Sequence, residues 1–565
     1  MIDSFSYESI RLQLETFSEN IPELLSSHPA TAQYALGLQN LLDRVDSPFT
    51  VAVTGQMRVG KSTLLNALIG EDLAITGVNE TTATINWFKY GGKGLDGKFR
   101  VAWKNKPDEL FSIDEIQTWI GDSQQAADTR YLEFFSSSEL LKQANFIDTP
   151  GTRSVIESHE ATINEFLAQR CEKESMRQGG KADAIIYVFP LVARESDKDR
   201  LGSYGEDSRI PGSSPFNSIG VLHKWDHLNS DDPFEEATGK ATTVAKAMKG
   251  LVADVIPVSA PLFIAAERYD ITFWEKVVTL TSLKDDLDFE ELLVSDERDF
   301  KSEIIEGCTL TPEDRVAFRT NYPLPWVSIC LILKQVRKHS ISSPKKAQQF
   351  IREKSGIPLL QSELEQRFFS KSRLIKILGS LNKAWEPCFQ ASMVLRNEKT
   401  QWATDLAQIP GYLDYLSEKI EAHEKPAQGL HEFLIKAQHI LHDRIKNNAS
   451  VLSRIDKARL IASDLRDNID DDLTCLEKLG QSKDIPLTPE LVTKLQSIFG
   501  YYGCELDQRC SKISSSNLEK ELIQILDEIE DAHLNRKWEH VREHTQLRVE
   551  QLLDTLEQKK RLINE

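Results

Sequence analysis

The sequence predicts an α/β phosphate-loop domain, with a mostly parallel central sheet and helices on both faces, joined to an extended α-helical bundle or stalk. Three observations carry that expectation. A short apolar run, "FTVAV", passes into "GQMRVGKST" and then into "LLNALIG", so strand, glycine-containing loop and helix follow in order. Further short apolar runs recur at 83–90, 99–103, 144–150, 183–190, 218–225 and 253–260, the later ones separated by helical patterns. Alternation of that kind argues a parallel sheet buried on both faces. From about residue 371 no strand pattern survives, and helical stripes run on to the end.

Taken in order, residues 5–45 read as helix, with Ile10, Leu14, Phe17 and Ile21 on one stripe and Leu38, Leu41, Leu42 and Val45 on another. Gly70 closes the helix that follows the loop. "SGIPLLQSELEQRFF" (355–369) reads as the closing helix of the α/β domain, with Pro358 near its start. The stretch 261–350 resists assignment: an acidic insert is followed by the apolar "WVSICLILKQV". The later helices are expected to break near Pro387, Pro410 and Pro426. After Gly503 there is no Gly or Pro, and one helix of that length would reach about 90 Å. The predicted organisation is N-terminal helices (1–47) that pack with the helical region, a nucleotide-binding domain (48–370), and a neck and stalk (371–565) with a tip near 484–507.

Composition narrows the function classes. The 565 residues are 40% hydrophobic and 27% charged, ordinary for a globular protein of more than one domain. A formal net charge of -19 repels nucleic acid and anionic lipid at long range, so nucleic acid is not an expected partner. Seven scattered cysteines without a C-x-x-C pair read as a reduced compartment with no zinc site. The polar start "MIDSFSYESI" lacks a signal-peptide pattern, and no apolar run reaches the roughly 18 residues of a membrane span. The expected location is therefore cytoplasmic, with any membrane contact peripheral and at the inner face.

Residues Gly55, Gln56, Met57, Arg58, Val59, Gly60, Lys61, Ser62 and Thr63 fit the phosphate-binding loop G-x-x-x-x-G-K-[ST] and the residue after it. In such a loop the backbone N–H groups and the helix N-terminus face the anion, the lysine reaches the β- and γ-phosphates, and the serine hydroxyl binds Mg²⁺. The loop alone does not choose between ATP and GTP. "FIDTPG" supplies Asp148 at a strand end and Gly151 three residues later, a D-x-x-G pattern that serves Mg²⁺ through water and the γ-phosphate through the glycine N–H. "LHKWD" supplies His223, Lys224 and Asp226. Its K-x-D reads guanine, because a carboxylate accepts from N1–H and the 2-amino group, a pair adenine does not offer. Asn or Thr is usual where His223 stands. "VIPVSA", ending at Ser259 and Ala260, resembles the segment whose backbone holds the guanine oxygen. "GVNETTATINWF" offers a switch threonine to close over Mg²⁺, Thr82, with Thr81 as the alternative. The expected cofactors are GTP or GDP and Mg²⁺.

The stretches "GQMRVGKSTLLNALIG", "ETTATI", "IDTPG", "DAIIYVFP" and "HKWD" resemble the dynamin superfamily, and within it the bacterial dynamin-like proteins, over about residues 50–260. The resemblance implies a large GTPase that converts GTP to GDP and phosphate, slowly or with the help of a partner or membrane. It also implies GTPase domains that pair across the nucleotide, companion dynamin-like proteins, and a helical stalk that remodels membrane in vesicle- or secretion-related work. Carried over singly, Lys61 and Ser62 hold phosphate and Mg²⁺, Thr82 is the switch threonine, Asp148 the metal-side aspartate and Asp226 the base reader. Arg58 is a fixed positive charge inside the loop. It reads as an arginine finger, since a guanidinium near the β–γ bridging oxygen lowers the barrier as charge shifts there. Guanylate-binding and atlastin relatives carry the same "R-x-G-K-S". The alternative is a solvent-facing arginine paired with a nearby acid.

Within "DIPLTPELVTKLQSIFGYYGCELD", Leu491, Ile498, Phe499, Tyr501 and Tyr502 suggest a lipid-inserting tip, with a helix–helix corner as the alternative. The function read from the sequence is a dynamin-like GTPase acting at a membrane. A second reading is a GTP-regulated cytoplasmic scaffold whose stalk binds proteins. A coiled-coil ATPase lacks support, because no L-S-G-G signature and no sustained heptads occur.

Overall fold

Strand β1 (Thr50–Gly55) carries the run Val51, Ala52 and Val53, none of it exposed, because helices cover both faces of the sheet it enters. The computed structural model describes residues 21–35, 47–55, 58–74, 85–116, 128–148, 182–191, 217–230, 232–248, 251–283, 289, 293, 297–302, 308–422, 427–481, 486–500, 510, 513, 517–532 and 538–564. The chain divides into two compact units: Pro48–Ser372, and Met1–Ser47 together with Arg373–Glu565.

The first unit is built on a nine-stranded sheet. Its other strands are β2 (Ile85–Tyr90), β3 (Lys98–Trp103), β4 (Glu109–Ser112), β5 (Thr129–Ser136), β6 (Asn145–Asp148), β7 (Ala184–Phe189), β8 (Ser218–His223) and β9 (Val255–Val258), in the order β4-β3-β5-β2-β6-β1-β7-β8-β9. The half β6-β1-β7-β8-β9 is parallel throughout. Its register aligns the strand ends: Val53 faces Asp148, Gly55 faces Val188, Phe189 faces Leu222 and His223 faces Val258. Gly55, Asp148 and His223 therefore share one edge, at the carboxyl ends of the strands, where open α/β sheets hold their ligands.

The other half departs from that pattern. β2 runs antiparallel to β6 and parallel to β5, and β3 runs antiparallel to both β5 and β4. β4 and β5 were not predicted. β5 is fixed by packing at long range: Phe134 stacks on Phe88 at 5.3 Å and on Phe99 at 5.8 Å between ring centroids.

Helix α1 (Lys61–Ile69) runs between two left-handed glycines, Gly60 and Gly70. α2 (Pro233–Ala247) starts on Asp232, whose side chain accepts from the Glu235 N–H, with Pro233 in the first turn. The stretch that resisted assignment is largely helical where described: α3 (Ala260–Arg268), α4 (Ile271–Thr281), α5 (Pro312–Asn321), α6 (Trp326–Lys338) and α7 (Pro344–Lys354). Their apolar faces close around Phe273, Trp274, Phe318 and Ile332, and the same cluster takes in Trp225. α8 (Ile357–Arg367), with Pro358 in its first turn, matches the expected closing helix.

The second unit contains α9 (Ser372–Glu421), α10 (Ala427–Gln481), α11 (Pro489–Gly500), α12 (Leu518–Asp531) and α13 (Glu539–Asn564). Two expectations are corrected here. α9 runs unbroken through Pro387 and Pro410. An interior proline costs about 3 kcal/mol, and around Pro387 the helix is anchored by contacts to α10: Arg459 lies over Trp385 and Phe389, and Arg396 pairs with Asp456 at 2.7 Å. Asn448 donates to Glu398 and Ser417 lies 3.4 Å from His431, so α9 and α10 form an antiparallel hairpin. Among the described residues the tail holds two helices rather than one. Gln546 donates to Glu530 and Lys560 to Glu519, so α13 folds back along α12 and both apolar stripes face inward. Pro426 lies outside the described residues.

Candidate nucleotide-binding site

The loop between β1 and α1 is shaped by what it packs against. A Cβ on Gly55 would meet the Val188 carbonyl oxygen at 2.4 Å, and one on Gly60 would meet His223 Nδ1 at 2.4 Å. Both glycines also take positive φ, 149° and 103°, so backbone freedom and close approach each require them. Arg58 sits between them at φ 58° with an exposed side chain. An arginine in the left-handed region costs on the order of 1 kcal/mol, so the loop holds it there against its own preference. Val59 is buried and Thr63 is half-buried in the first turn of α1.

Lys61 is 7% exposed and its Nζ donates to the Gly55 carbonyl at 3.4 Å. Burial pushes its pKa down, and Asp148 pulls it back up. At the end of β6, Asp148 Oδ2 accepts from Ser62 Oγ at 2.7 Å. Burial pushes the Asp148 carboxyl up, opposed by Lys61 and by the serine bond. Asp148 Oδ1 is buried with no partner among the described residues. A hydroxyl and a carboxylate side by side, with one oxygen open, are the hard donors that Mg²⁺ takes. Ser62 and Asp148 thus fit the ion the motif implies.

The end of β8 reaches the same loop. His223 Nδ1 lies 3.0 Å from the Val59 carbonyl. A carbonyl only accepts, so Nδ1 carries the hydrogen and Nε2 the lone pair. Nε2 is buried and without a partner among the described residues. Burial holds the His223 pKa down at about 4 despite the nearby Asp226, so the ring is neutral at pH 7. Lys224, left-handed at φ 66°, donates from Nζ to the Arg58 carbonyl at 2.8 Å. Asp226 is 1% exposed. Its Oδ2 accepts from Ser328 Oγ at 2.7 Å, and Oδ1 has no partner among the described residues.

Ser259 is corrected. It is fully buried, its hydroxyl caps α3 by accepting from the Leu262 N–H, and its own N–H donates to the Ser355 carbonyl. Its N–H is taken by the Ser355 carbonyl and its buried hydroxyl oxygen by the Leu262 N–H, so Ser259 itself faces the fold. Gln56, Met57, Thr81, Thr82 and Gly151 lie outside the described residues. The expected lipid tip is corrected as well. Leu491, Ile498 and Phe499 are 2%, 0% and 0% exposed, and Phe499 stacks against His544. They are core of the helical unit, because the apolar stripe of α11 faces α10 and α13. Tyr501 and Tyr502 lie outside the described residues.

Sequence reasoning missed Ser328, which stands in an apolar helix 102 positions from Asp226 and carries no motif.

Residues 51–224 match the family described as the Dynamin family. Over that stretch the chain is similar to the Dynamin family. Dynamin-like protein 2 of Campylobacter jejuni is 27% identical over 223 residues, covering 39% of this chain and 33% of that one. Isoniazid-induced protein IniC of Mycobacterium tuberculosis is 44% identical over 236 residues, covering 40% of this chain and 44% of that one. The chain spans less than half the length of either curated relative. A solved oligomerised bacterial dynamin pair, described as a mechanism for long range sensing and tethering of membranes, aligns with 99% of this chain and 77% of its own. That alignment has 15% identity and a TM-score of 0.29, too low to carry an argument. Among the described residues no helix is long and apolar enough to cross a membrane.

Proposed function

We propose that this chain binds and hydrolyses GTP between α1, β6 and β8, and that its helical unit couples nucleotide state to a membrane. One observation supports the first part above the others: side chains from two strand ends bond to a single loop. Asp148 holds Ser62, His223 holds Val59, and Lys224 holds Arg58. A phosphate chain on the loop would place its terminal groups beside Lys61 and the Ser62–Asp148 pair, and its base end toward Lys224 and Asp226.

In that complex Mg²⁺ would supply charge neutralisation to the β- and γ-phosphates. Lys61 would exchange the Gly55 carbonyl for phosphate oxygens, and an anionic partner would offset the lowering of its pKa by burial. By their motifs, Thr82 or Thr81 would serve the metal side and the Gly151 N–H the γ-phosphate. Arg58 is the arginine finger: pairing of two GTPase domains turns its side chain inward, so turnover per molecule rises with protein concentration. The test is calorimetric titration with GTP, with phosphate release alongside, for the wild type and Lys61→Ala. The reading expects nucleotide binding to vanish in the variant while the fold persists, and unchanged GTP affinity would end it.

The membrane part rests on where apolar surface is exposed. Near the connection between α9 and α10, Tyr412, Tyr415, Leu430 and Phe433 are 57%, 56%, 51% and 63% exposed. They replace the buried residues of α11 as the candidate contact. Co-sedimentation with neutral and anionic liposomes tests it, with companion dynamin-like proteins as the next addition. If the wild type never sediments with lipid, the GTP-regulated scaffold takes over.

A further inference from the structure

Asp226 is an unusual carboxylate. It is 1% exposed, yet the bond it receives among the described residues comes from the neutral Ser328 hydroxyl, on Oδ2. Its other oxygen is buried with no partner among the described residues, and His227 Nε2 lies 4.0 Å from Oδ2. Leaving a buried polar group unmet is costly, and such a group in a folded protein calls for a donor from outside the fold.

Ser328 is equally out of place. It lies in the first turn of α6, fully buried, with Ile329, Ile332, Leu333 and Val336 of the same helix packed in the apolar cluster around Trp225. A hydroxyl in that setting must find a partner, and it finds Asp226. The two residues preceding Trp225 are the ones that hold the phosphate loop, so the segment 223–226 is clamped at one end by the loop and at the other by α6.

We propose that Ser328 is a positioning residue for base recognition: by donating to Oδ2 it fixes the plane of the Asp226 carboxylate, leaving Oδ1 and the second lone pair of Oδ2 to accept a pair of parallel N–H donors. This rests on the reading of Asp226 as the base reader. It assigns a role to the helical stretch 261–350, which lies outside residues 51–224 matched by the Dynamin family. A guanine edge, with N1–H beside the 2-amino group, fits that acceptor pair, whereas a hypoxanthine edge fills half of it. The fixed plane is therefore what separates the two bases.

The experiment is calorimetric titration of the full chain with GDP, IDP, XDP and ADP in Mg²⁺, for the wild type, Ser328→Ala, Ser328→Thr and Asp226→Asn, with melting temperatures measured alongside. Alanine is smaller than serine and suits the apolar cluster, so the variant keeps its fold, and the threonine variant keeps the hydroxyl. The inference expects Ser328→Ala to weaken GDP about tenfold or more, the scale of one hydrogen bond to a charged group. It expects the GDP-to-IDP preference to fall toward one, ADP to be unmoved, and Ser328→Thr to restore the preference. Equal weakening of all four nucleotides with a lower melting temperature makes Ser328 a packing residue and overturns it. So does an unchanged GDP-to-IDP ratio in Ser328→Ala while Asp226→Asn still turns the chain toward XDP. If Asp226→Asn does not change base preference, the base reading itself fails, and the inference falls with it for a different and visible reason.

Discussion

The two units place their buried polar groups differently. In the helical unit, Asp472 Oδ1 accepts from His544 at 2.6 Å and from Arg548 at 2.8 Å. Arg548 also donates to the Asn468 carbonyl and to Gln551. The cluster largely closes on itself, joins α10 to α13, and leaves one oxygen, Asp472 Oδ2, without a partner among the described residues. In the sheet unit, Asp148 and Asp226 each accept one bond and His223 makes one to the loop, and each keeps a buried atom without a partner among the described residues. All three open atoms belong to residues at or just beyond the carboxyl ends of β6 and β8. A network that satisfies its members holds helices in register. One that leaves valences unmet along a shared strand edge is set up for a ligand.

The contrast breaks most visibly at Arg58. If the sheet unit is the catalytic one, Arg58→Ala lowers GTP turnover by ~10³-fold or more while GTP affinity changes little, because the contact forms in the transition state. Arg58→Lys does not restore it, since a point charge lacks the planar fork. Phosphate release under conditions where the wild type is active checks this, and a wild-type rate in Arg58→Ala refutes the finger.

The helical unit should show the reverse signature. Arg548→Met leaves Asp472 charged, buried and poorly compensated, a loss of about 3–5 kcal/mol, and Phe499→Ala costs about 3–5 kcal/mol through the cavity it opens. Chemical denaturation followed by circular dichroism should register both, with the GTP dissociation constant unmoved. Loss of GTP binding at unchanged stability would contradict the division of roles.

A smaller effect sharpens the sheet side. The His223 pKa is pushed down from 6.5 to about 4 by burial. The unfolded chain therefore takes up the proton first as pH falls. The stability that the neutral ring contributes is complete above pH 6.5 and is lost progressively toward pH 4, roughly 2–3 kcal/mol by pH 4.5. His223→Asn keeps a donor for Val59 and has no such titration. The stability gap between wild type and variant should therefore shift against the wild type across that window, and a constant gap argues for a protonated or solvated ring. The smallest expected change is Tyr415→Ser with Phe433→Ser: within about 0.5 kcal/mol of wild-type stability at exposed positions, with liposome binding lost if these side chains are the contact.

The same contrast explains what the sequence made legible. The β1 loop, Asp148 and the His223–Asp226 segment are local motifs at strand ends, where a few adjacent residues set both backbone and chemistry. β5 and the Ser328–Asp226 bond depend on partners 30 to 100 positions away and leave no local mark. In the helical region an apolar stripe reports that a face is buried but not against what. That is why Leu491, Ile498 and Phe499 read equally well as a lipid tip or as core, and why Pro387 and Pro410 read as breaks although α10 packing carries the helix past them.

The claim beneath all of this is that the loop at 55–62 and the segment at 223–226 form one guanine-nucleotide site. Titration of the wild-type chain with GTP and with ATP in Mg²⁺ tests it directly. Two hydrogen bonds from the base edge to a buried carboxylate, each about 1.5–3 kcal/mol to a charged group, predict GTP binding at least ~100-fold tighter than ATP. Equal affinities would mean that Asp226 does not read the base, and would contradict the account.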